Sequence, residues 1–579
     1  MRLFLSIVFI ASLANGIAQN KADLKKDPTY QEYVTYYPNK IKESEGIFIN
    51  GKEHGTWKFY HENGKLKQEV NYFNGALYGK AVFYYKDGKP QTEGYFLNDK
   101  LDSTHISYHE NGKISAKGKY KNGLKVGLWQ GFYPNEKKEY EGNFEEGYKV
   151  GVFTYWFDNE QLQKEYLCVK AEEKLIKAFD KTGKPLVVDG NGTLMEYNAK
   201  NQLVYKAIYK NGLKNGMEEK YDTQNGILKS KIEFLNNNIN GIYLTFYANG
   251  KLKDSSNYVL NIEHGKWKQF NENGTLKGSG EFNEGIETGE WKWYNDDKLF
   301  MVGHFKNGLR DGEWLYYFPN SGIIEHLAYF KNGEKDGEWK YNYPDGKTLR
   351  LINFKNDKKN GKTLVYYEDG KLEREGNFKD DKEDGKWTSY YRNTKVNEVG
   401  DFKMGVLHNE WKGYHENGNL RYITTYKNGV MHGKYEKYFP TGKIGIKGEH
   451  LNGYENGLWI DWHDKGFSKR QEGTYKVISL KEAKKLKLTE ANAVQTDSLS
   501  IKHGTWLTYF DGLGDKIYMQ TDYKNGKIDG KQITYYSNGN KQMVAQYKNG
   551  LKNGKTLIYD KDGKVAEKLK FKNNNQIKK

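Results

Sequence analysis

A unit of 24 residues recurs along almost the whole chain and limits what it can fold into. We call the first residue of each unit the register residue and count it as position zero. The register residues are Gly55, Gly79, Ser103, Gly127, Gly151, Gly192, Gly216, Gly241, Gly265, Gly289, Gly312, Gly337, Gly361, Gly385, Asn409, Gly433, Gly457, Gly504, Gly530 and Gly554. Such self-similarity predicts small units that cannot bury their apolar surface alone and share a core with their neighbours. The repeat defines an architecture and says little about an activity.

Composition indicates an ordered β structure despite a hydrophobic content of only 36%. Disordered chains are poor in aromatic residues, whereas this chain has 15% aromatic residues, including 48 tyrosines, and 64 glycines. The net charge of +17 comes largely from lysines in repeated turns such as Lys121-Asn122-Gly123. We interpret these as solvated turn lysines, with an anion-binding surface as the alternative. No arginine-rich stripe stands out, so nucleic acid is not an expected partner.

Each unit is predicted to contain two strands and two turns. In the first unit, Gly55 to Tyr60 is the first strand and Lys65 to Phe73 the return strand. Asn63-Gly64 predicts the hairpin turn between them, because both residues accept a positive φ. Asn74-Gly75 then turns the chain into the next unit. About 20 such units predict an all-β fold, an elongated antiparallel β-hairpin meander.

Aromatic residues occupy two columns of the first strand, at positions two and five. Because these positions differ in parity, regular strands would direct them to opposite faces of the sheet. A candidate surface is formed by the densest run of these columns: Trp267, Trp291, Trp314, Trp339, Trp387, Tyr294, Tyr366 and Tyr390. The favoured interpretation is that such regular rings form the core of a thin sheet. Recognition through exposed rings is the alternative.

The repeat is interrupted at intervals, which gives seven segments. Residues 1–18 resemble a signal peptide, with Arg2 before an apolar stretch and small residues near Ala18. The later segments are 19–45, a lead-in with a first partial repeat; 46–157, repeats; 158–190, an irregular insertion; 191–475, repeats; 476–500, an insertion with a possible short helix; and 501–579, repeats. The chain is therefore expected to be exported, to the periplasm, the outer membrane or the exterior, with no transmembrane segment in the mature form.

The repeated pattern resembles the MORN repeat, and in particular the variant of bacterial YwqK-type proteins. The pattern is carried by Lys306-Asn307-Gly308 followed by Gly312 and Trp314, and it recurs from about residue 40 to residue 575. The resemblance implies an antiparallel β array that serves as a scaffold, a partner-binding surface or a lipid-associated surface. YwqK-type proteins are often described as antitoxins, which implies a cytoplasmic partner. The apparent signal peptide departs from that description.

No constellation of residues predicts catalysis or a cofactor. Several histidines share one repeat position, immediately before the register residue, which is typical of a structural role: His54, His264, His408, His432 and His503. No pair of Cys and His residues has the spacing of a zinc site. The chain has a single cysteine, Cys168, and hence no internal disulfide. We expect neither an enzyme nor a bound metal.

The sequence favours a non-enzymatic cell-envelope scaffold that binds another protein through an extended multivalent surface. One alternative is a glycan-binding protein that stacks sugars on exposed Trp and Tyr rings. A second alternative is association with anionic lipid through the turn lysines. An antitoxin-like partner protein of the YwqK type is a further alternative. The partner itself cannot be read from these residues.

Overall fold

The structure is a computed structural model that describes residues 24–464, 468–488 and 498–577. The predicted signal peptide lies outside the described residues. The chain divides into two compact units, Met1–Ile286 and Glu287–Lys579. In the described ranges, no helix is both long and apolar enough to span a bilayer.

In the first unit, the described strands are mostly of six to nine residues. They are β1 (Gln31–Tyr36), β2 (Lys42–Ile49), β3 (Lys52–Tyr60), β4 (Leu66–Phe73), β5 (Ala76–Leu77), β6 (Gly79–Tyr84), β7 (Pro90–Leu97), β8 (Lys100–Tyr108), β9 (Ile114–Lys121), β10 (Leu124–Phe132), β11 (Lys138–Glu145), β12 (Tyr148–Trp156), β13 (Leu162–Val169), β14 (Glu172–Phe179), β15 (Pro185–Val188), β16 (Asn191–Tyr197), β17 (Leu203–Lys210), β18 (Leu213–Tyr221), β19 (Leu228–Leu235), β20 (Asn238–Phe246), β21 (Leu252–Val259), β22 (Ile262–Glu263), β23 (Gly265–Phe270) and β24 (Leu276–Asn283).

The second unit has the same organisation and contains one short described helix. Its elements are β25 (Ile286–Asn295), β26 (Lys298–Lys306), β27 (Leu309–Tyr317), β28 (Ile324–Lys331), β29 (Glu334–Lys335), β30 (Gly337–Asn342), β31 (Thr348–Lys355), β32 (Lys358–Tyr366), β33 (Leu372–Lys379), β34 (Lys382–Glu383), β35 (Gly385–Tyr390), β36 (Val396–Lys403), β37 (Val406–Tyr414), β38 (Leu420–Lys427), β39 (Val430–Tyr438), β40 (Ile444–Leu451), β41 (Tyr454–Trp462), β42 (Lys469–Ser479), α1 (Leu480–Lys485), β43 (Ser498–Tyr509), β44 (Ile517–Lys524), β45 (Lys527–Tyr535), β46 (Lys541–Lys548), β47 (Leu551–Tyr559), β48 (Val565–Lys572) and β49 (Asn575–Gln576).

Within each unit, strands that follow one another in the chain pair antiparallel. The pairing of β3 with β4 is representative: its register runs from Gly55 opposite Tyr72 to Tyr60 opposite Leu66. The next strands, β5 and β6, pair with β4 in turn. The predicted all-β fold, an antiparallel hairpin meander built from repeats of two strands, is confirmed.

The two turns of each unit differ, and the prediction for one of them is wrong. Asn74 and Gly75 both have a positive φ, 52° and 86°, as a two-residue hairpin turn requires. At the Asn63-Gly64 turn only Gly64 does, with a φ of 79°. The His61 N–H donates to the carbonyl of Lys65 at 2.8 Å, and the Gly64 N–H donates to the carbonyl of His61. This is a longer loop closed by a glycine bulge, which also shifts the register between Phe59 and Tyr60.

The sheet has two chemically different faces. On the tryptophan face, Trp57 contacts the rings of Phe48 and Tyr72. On the opposite, charged face, Tyr60 donates to the carboxylate of Glu45. Positions two and five of the first strand therefore point to opposite faces, as their parity requires.

The chain folds back on itself near the segment predicted to be an irregular insertion. Residues 158–190 contain all of β13 and β14 and the short β15. The N–H of Leu175 in β14 donates to the carbonyl of Gly212 at 2.9 Å, and the N–H of Gly212 donates to the carbonyl of Gly190. This brings β14 against β18, and the tryptophan face closes over a small core there.

The segment 476–500 carries the helix α1 beside a strand pair. The hydroxyl of Ser479 accepts the Glu482 N–H at 3.2 Å and caps the helix N-terminus. Ala483 packs against Ile478 and Ile501, all buried, so the helix covers the pairing of β42 with β43.

Candidate binding surface

Trp314 shows how the residue at position two is held. The ring is fully buried and lies over Gly303 of the preceding strand, where an added Cβ would be 2.1 Å from the Trp314 ring. The indole N–H donates to the carbonyl of His304 at 3.2 Å. The glycine therefore provides the space that the indole fills, and the carbonyl fixes its orientation.

This pairing of a glycine with a ring eleven residues later recurs along the sheet. The pairs are Gly46 with Trp57, Gly118 with Trp129, Gly142 with Phe153, Gly376 with Trp387, Gly400 with Trp411 and Gly448 with Trp459. Ala328 takes the place of the glycine below Trp339. Where the residue at position two is small, the residue eleven positions earlier is large, as in the pairs Val70 with Ala81 and Ile352 with Thr363. The summed volume is kept roughly constant, as close packing requires. This relation was not predicted, although the eleven-residue spacing is visible in the sequence.

The eight candidate residues do not form one surface. Trp291, Trp314, Trp339 and Trp387 are at most 6% exposed, and Trp267 of the first unit is half-buried. The three tyrosines are half-buried and project from the charged face: Tyr294, Tyr366 and Tyr390. The hydroxyl of Tyr390 donates to the Glu375 carboxylate at 2.8 Å.

Cations lie over many rings of the tryptophan face. The Arg310 guanidinium is 4.6 Å from the Trp314 ring centroid, and the Lys335 ammonium is 4.9 Å from that of Trp339. In the first unit, Lys125 is 4.1 Å from Trp129, and burial lowers the pKa of this lysine. Such contacts at about 4–6 Å are cation–π interactions. The cations shield the ring faces that the neighbouring side chains leave open.

Beside the tryptophans runs a row of chemically diverse residues, which we call the variable row. It consists of position four of each first strand and the residue paired with it on the return strand. In the first unit the pairs include Phe59 with Gln68, Phe83 with Thr92, Ser107 with Ala116, Gly131 with Tyr140 and Tyr155 with Lys164. In the second they include Trp293 with Met301, Tyr316 with His326, Tyr341 with Arg350, Val365 with Arg374, Ser389 with Glu398 and Gly413 with Tyr422.

Four planar groups of the variable row stack in succession in the second unit. The Tyr316 and His326 rings are 4.0 Å apart and 11° from parallel. His326 is in turn 5.3 Å from Tyr341, whose other neighbour is the Arg350 guanidinium at 4.6 Å. Burial lowers the pKa of His326 and raises that of Tyr316. The faces of these rings therefore contact one another within the stack, and the ring edges point outward.

The stack is followed by a groove, because Ser389 and Gly413 occupy row positions that hold rings elsewhere. The groove has a volume of about 470 Å³, and Trp387, Trp411, Arg374 and Glu398 are among its lining residues. Arg421 and Tyr422 contact the Glu398 carboxylate at 2.7 and 2.9 Å. Burial and the Glu398 charge raise the pKa of Tyr422.

On the charged face, the repeated ionisable groups contact one another. Lys80 forms an ion pair with Glu93 at 2.9 Å, and the Tyr108 hydroxyl donates to the same carboxylate at 2.6 Å. Burial and this carboxylate raise the pKa of Tyr108 to about 12. Much of the charge on this face is therefore already paired.

Among the described residues, no group of three or more His, Cys, Asp or Glu side chains is arranged to hold a metal ion. Cys168 is buried, and burial raises the pKa of its thiol, so the reactive thiolate is disfavoured.

Comparisons with known proteins identify the repeat. The family model described as MORN repeat variant matches eleven segments: 53–74, 77–98, 101–122, 125–146, 239–259, 263–284, 335–356, 359–380, 407–428, 528–549 and 552–573. No curated protein matches the chain.

Two solved structures also match the chain. "Crystal Structure of TcdB2-TccC3-Cdc42" matches with 9% identity over 94% of this chain, at a TM-score of 0.13. "Crystal Structure of TcdB2-TccC3" matches with 10% identity over 94% of this chain, also at 0.13. The chain spans 31% of the length of both. Such TM-scores are too low to support any conclusion about this chain.

Proposed function

Because the chain is a MORN-repeat protein, we propose that it is a non-enzymatic scaffold that binds a partner protein through the tryptophan face. One observation carries the proposal. The framework positions repeat and are occupied by internal contacts, whereas the adjacent variable row changes chemistry from unit to unit. In repeat proteins, a constant framework with a varying surface row is an arrangement suited to recognition at several points.

The variable row is better suited to a protein than to a glycan. Sugar recognition through stacking requires exposed ring faces, but Trp314 is fully buried and Trp387 is 4% exposed. The rings of Tyr316 and His326 are stacked on each other. What the row presents instead is a mixture of ring edges, short side chains and charges, which is typical of protein interfaces.

Anionic lipid remains a second candidate because of the turn lysines. Turns such as Lys427-Asn428-Gly429 are exposed along the sheet edge. Lipid association through them would weaken steeply with added salt. A protein partner held by the variable row would be less sensitive to salt.

We also propose that the protein is exported and acts in the cell envelope, as the apparent signal peptide in residues 1–18 indicates. N-terminal sequencing of the protein from fractionated cells tests this. A new N-terminus near Gln19 in the envelope fraction is expected. Retention of residues 1–18 on protein in the cytoplasmic fraction would contradict it and favour the antitoxin-like alternative.

The function is tested by a pull-down from envelope extract at low and high salt. We expect one stoichiometric protein that survives high salt and is lost from the variant Tyr316→Ser with Tyr341→Ser. The matched control, Tyr317→Ser with Tyr366→Ser, removes two tyrosines from the charged face and should retain it. Recovery of polysaccharide or anionic lipid without protein would overturn the proposal, as would equal loss from both variants.

A further inference from the structure

Arginine is unevenly used in this chain. Lysine supplies most of the positive charge, and the seven arginines are Arg2, Arg310, Arg350, Arg374, Arg392, Arg421 and Arg470. Three of them lie over rings of the tryptophan face within three successive repeats: Arg310 over Trp314, Arg350 over Tyr341 and Arg374 over Trp387. These three arginines do not stand out as a row in the sequence. The fold aligns residues that are 24 to 40 positions apart in the sequence.

Four cations of these repeats lack a carboxylate partner. In the described part of the chain, no carboxylate forms an ion pair with Arg310, Lys335, Arg350 or Lys359, although nearby Lys362 pairs with Glu375 and Arg374 with Glu383. Together with Tyr316, His326 and Tyr341, these four cations define what we call the cationic–aromatic surface. The tryptophan-face positions of β27 to β32 contain no Asp or Glu.

The contacts of this surface distinguish between classes of anion. Single-stranded nucleic acid and sugars need free ring faces, but these faces contact each other or the Arg350 guanidinium. A bilayer needs cations that can reach a plane, but Lys335 and Lys359 fold back to 4.9 and 5.1 Å from the ring centroids of Trp339 and Phe378. The groups that remain accessible to a ligand are the guanidinium and ammonium groups, which lie beside ring edges. Ring edges carry the positive end of the aromatic quadrupole, so the ring edges and the cations both favour carboxylates.

We propose that the cationic–aromatic surface docks an acidic segment of the partner protein, rich in Asp and Glu. The proposal rests on the proposed function and specifies its partner. The spacing adds a sequence requirement. Arg310, Lys335 and Lys359 lie on alternate strands, hence about 10 Å apart. One turn of a polyproline II helix has three residues and rises about 9 Å, and it brings residues i and i+3 to the same side of the segment. The docked segment adopts this conformation and carries an acidic residue at every third position.

The first experiment measures binding of a fluorescent peptide with glutamate at every third position and serine between, by anisotropy with the full chain. We expect salt-sensitive binding, at least about tenfold tighter than for a peptide of the same composition with its glutamates clustered. The surface variant carries Arg310→Gln, Lys335→Gln, Arg350→Gln and Lys359→Gln. It should weaken binding by at least about tenfold.

The matched control removes four charges from the charged face of the same repeats: Lys331→Gln, Lys340→Gln, Lys355→Gln and Lys386→Gln. It should stay within about twofold of the parent chain, because only net charge changes. Circular dichroism melts establish that both variants are folded. Equal weakening in the two variants would reduce the effect to net charge and overturn the proposal.

Two further arms use vesicles with anionic lipid and a single-stranded oligonucleotide. If the chain bound the vesicles or the oligonucleotide more tightly than the spaced peptide, and the surface variant lost that binding, the assignment to an acidic peptide would be overturned. The two proposals can fail separately. A protein recovered by pull-down with the surface variant as efficiently as with the parent chain would leave the scaffold function intact and remove this inference.

Discussion

In the fold-back region of the first unit the buried cluster is mainly aliphatic, whereas in residues 314–352 of the second unit it is mainly aromatic. The first cluster contains Leu175, Ala178, Val187, Leu194, Ala207 and Tyr209. The second contains Trp314, Ala328, Phe330, Trp339 and Ile352, with further rings packed against it. The side chains of both clusters are almost completely buried, although both clusters are built from the same repeat.

The two clusters exclude water by different means. Where the chain folds back, strands that are not neighbours cover each other, so small side chains are buried by backbone and by β18. In the regular repeats, a large ring lies over a small residue of the preceding strand, as Trp314 lies over Gly303, and a cation covers the rings of Trp314 and Trp339. A single sheet therefore needs aromatic side chains where it stays regular and can use aliphatic ones where it closes on itself.

The largest expected effects come from removing one buried side chain in each region. Trp314→Ala should cost about 3–5 kcal/mol of unfolding free energy, and Leu175→Ala about 2–5 kcal/mol. Hydrogen exchange should show the loss confined to β26 to β28 for Trp314→Ala, because repeats contact only their neighbours. For Leu175→Ala, it should extend from β14 to β18. If the loss of hydrogen-exchange protection were equally local in both variants, the proposed difference between the two regions would be contradicted.

The paired volumes of the aromatic region are tested at Gly303. Gly303→Val should destabilise the protein by about 1–3 kcal/mol, because its side chain occupies the space of the Trp314 ring. Combined with Trp314→Ala it should cost less than the sum, since Val70 with Ala81 is a native pair of that kind. Urea unfolding of the four members of this cycle gives the coupling energy. Strict additivity would contradict the pairing.

Acid should affect the two regions in separate pH windows. Burial lowers the pKa of His326, so the stack is most stable above about pH 6.5 and loses stability as the pH falls toward the folded pKa. In the fold-back region, burial acts to raise the pKa of Glu218, but Lys214 and Tyr205 outweigh it and hold the pKa below its ordinary value. Its contribution is present above about pH 4.3 and is lost only below that.

Hydrogen exchange at β28 and β14, corrected for intrinsic rates, would follow these two windows. Among the described charged groups, Glu325 favours protonation of His326, Arg350 lies beyond Tyr341, and Arg310 donates to the hydroxyl of the stacked Tyr316. His326→Phe should remove the response of β28 below about pH 6.5 and leave that of β14 unchanged. A response of β28 that persists in this variant would contradict the assignment.

The smallest expected effect concerns the turns, which are alike in the two units. The Asn393 amide donates to the carbonyl of Glu416 at 2.8 Å, and Asn159 makes the same contact with Lys181 at 3.2 Å. Both are exposed, so Asn393→Ala and Asn159→Ala should each cost about 0.5–1 kcal/mol, measured by thermal unfolding. A much larger loss for one of them would show that the turns, and not only the cores, differ.

Much of the regular part could be predicted from the sequence. The predicted return strand, Lys65 to Phe73, differs from the observed strand by one residue, and the first strand begins three residues earlier than predicted. The glycine bulge after Asn63 was missed, because Asn-Gly is equally compatible with both kinds of turn. The fold-back was missed because it depends on contacts between backbone groups of residues 175, 190 and 212.

The sequence by itself determined the repeat, its two-strand unit and the opposite facing of positions two and five, since these follow from local periodicity and strand geometry. The tertiary structure decided which rings are buried, because Trp314 and Gly303 are brought together only by strand pairing. It also decided that Arg310, Lys335, Arg350 and Lys359 lie on one face, with no ion pair to a carboxylate of the described residues. Surface chemistry in a repeat sheet depends on register between strands, and register is a property of the assembled sheet.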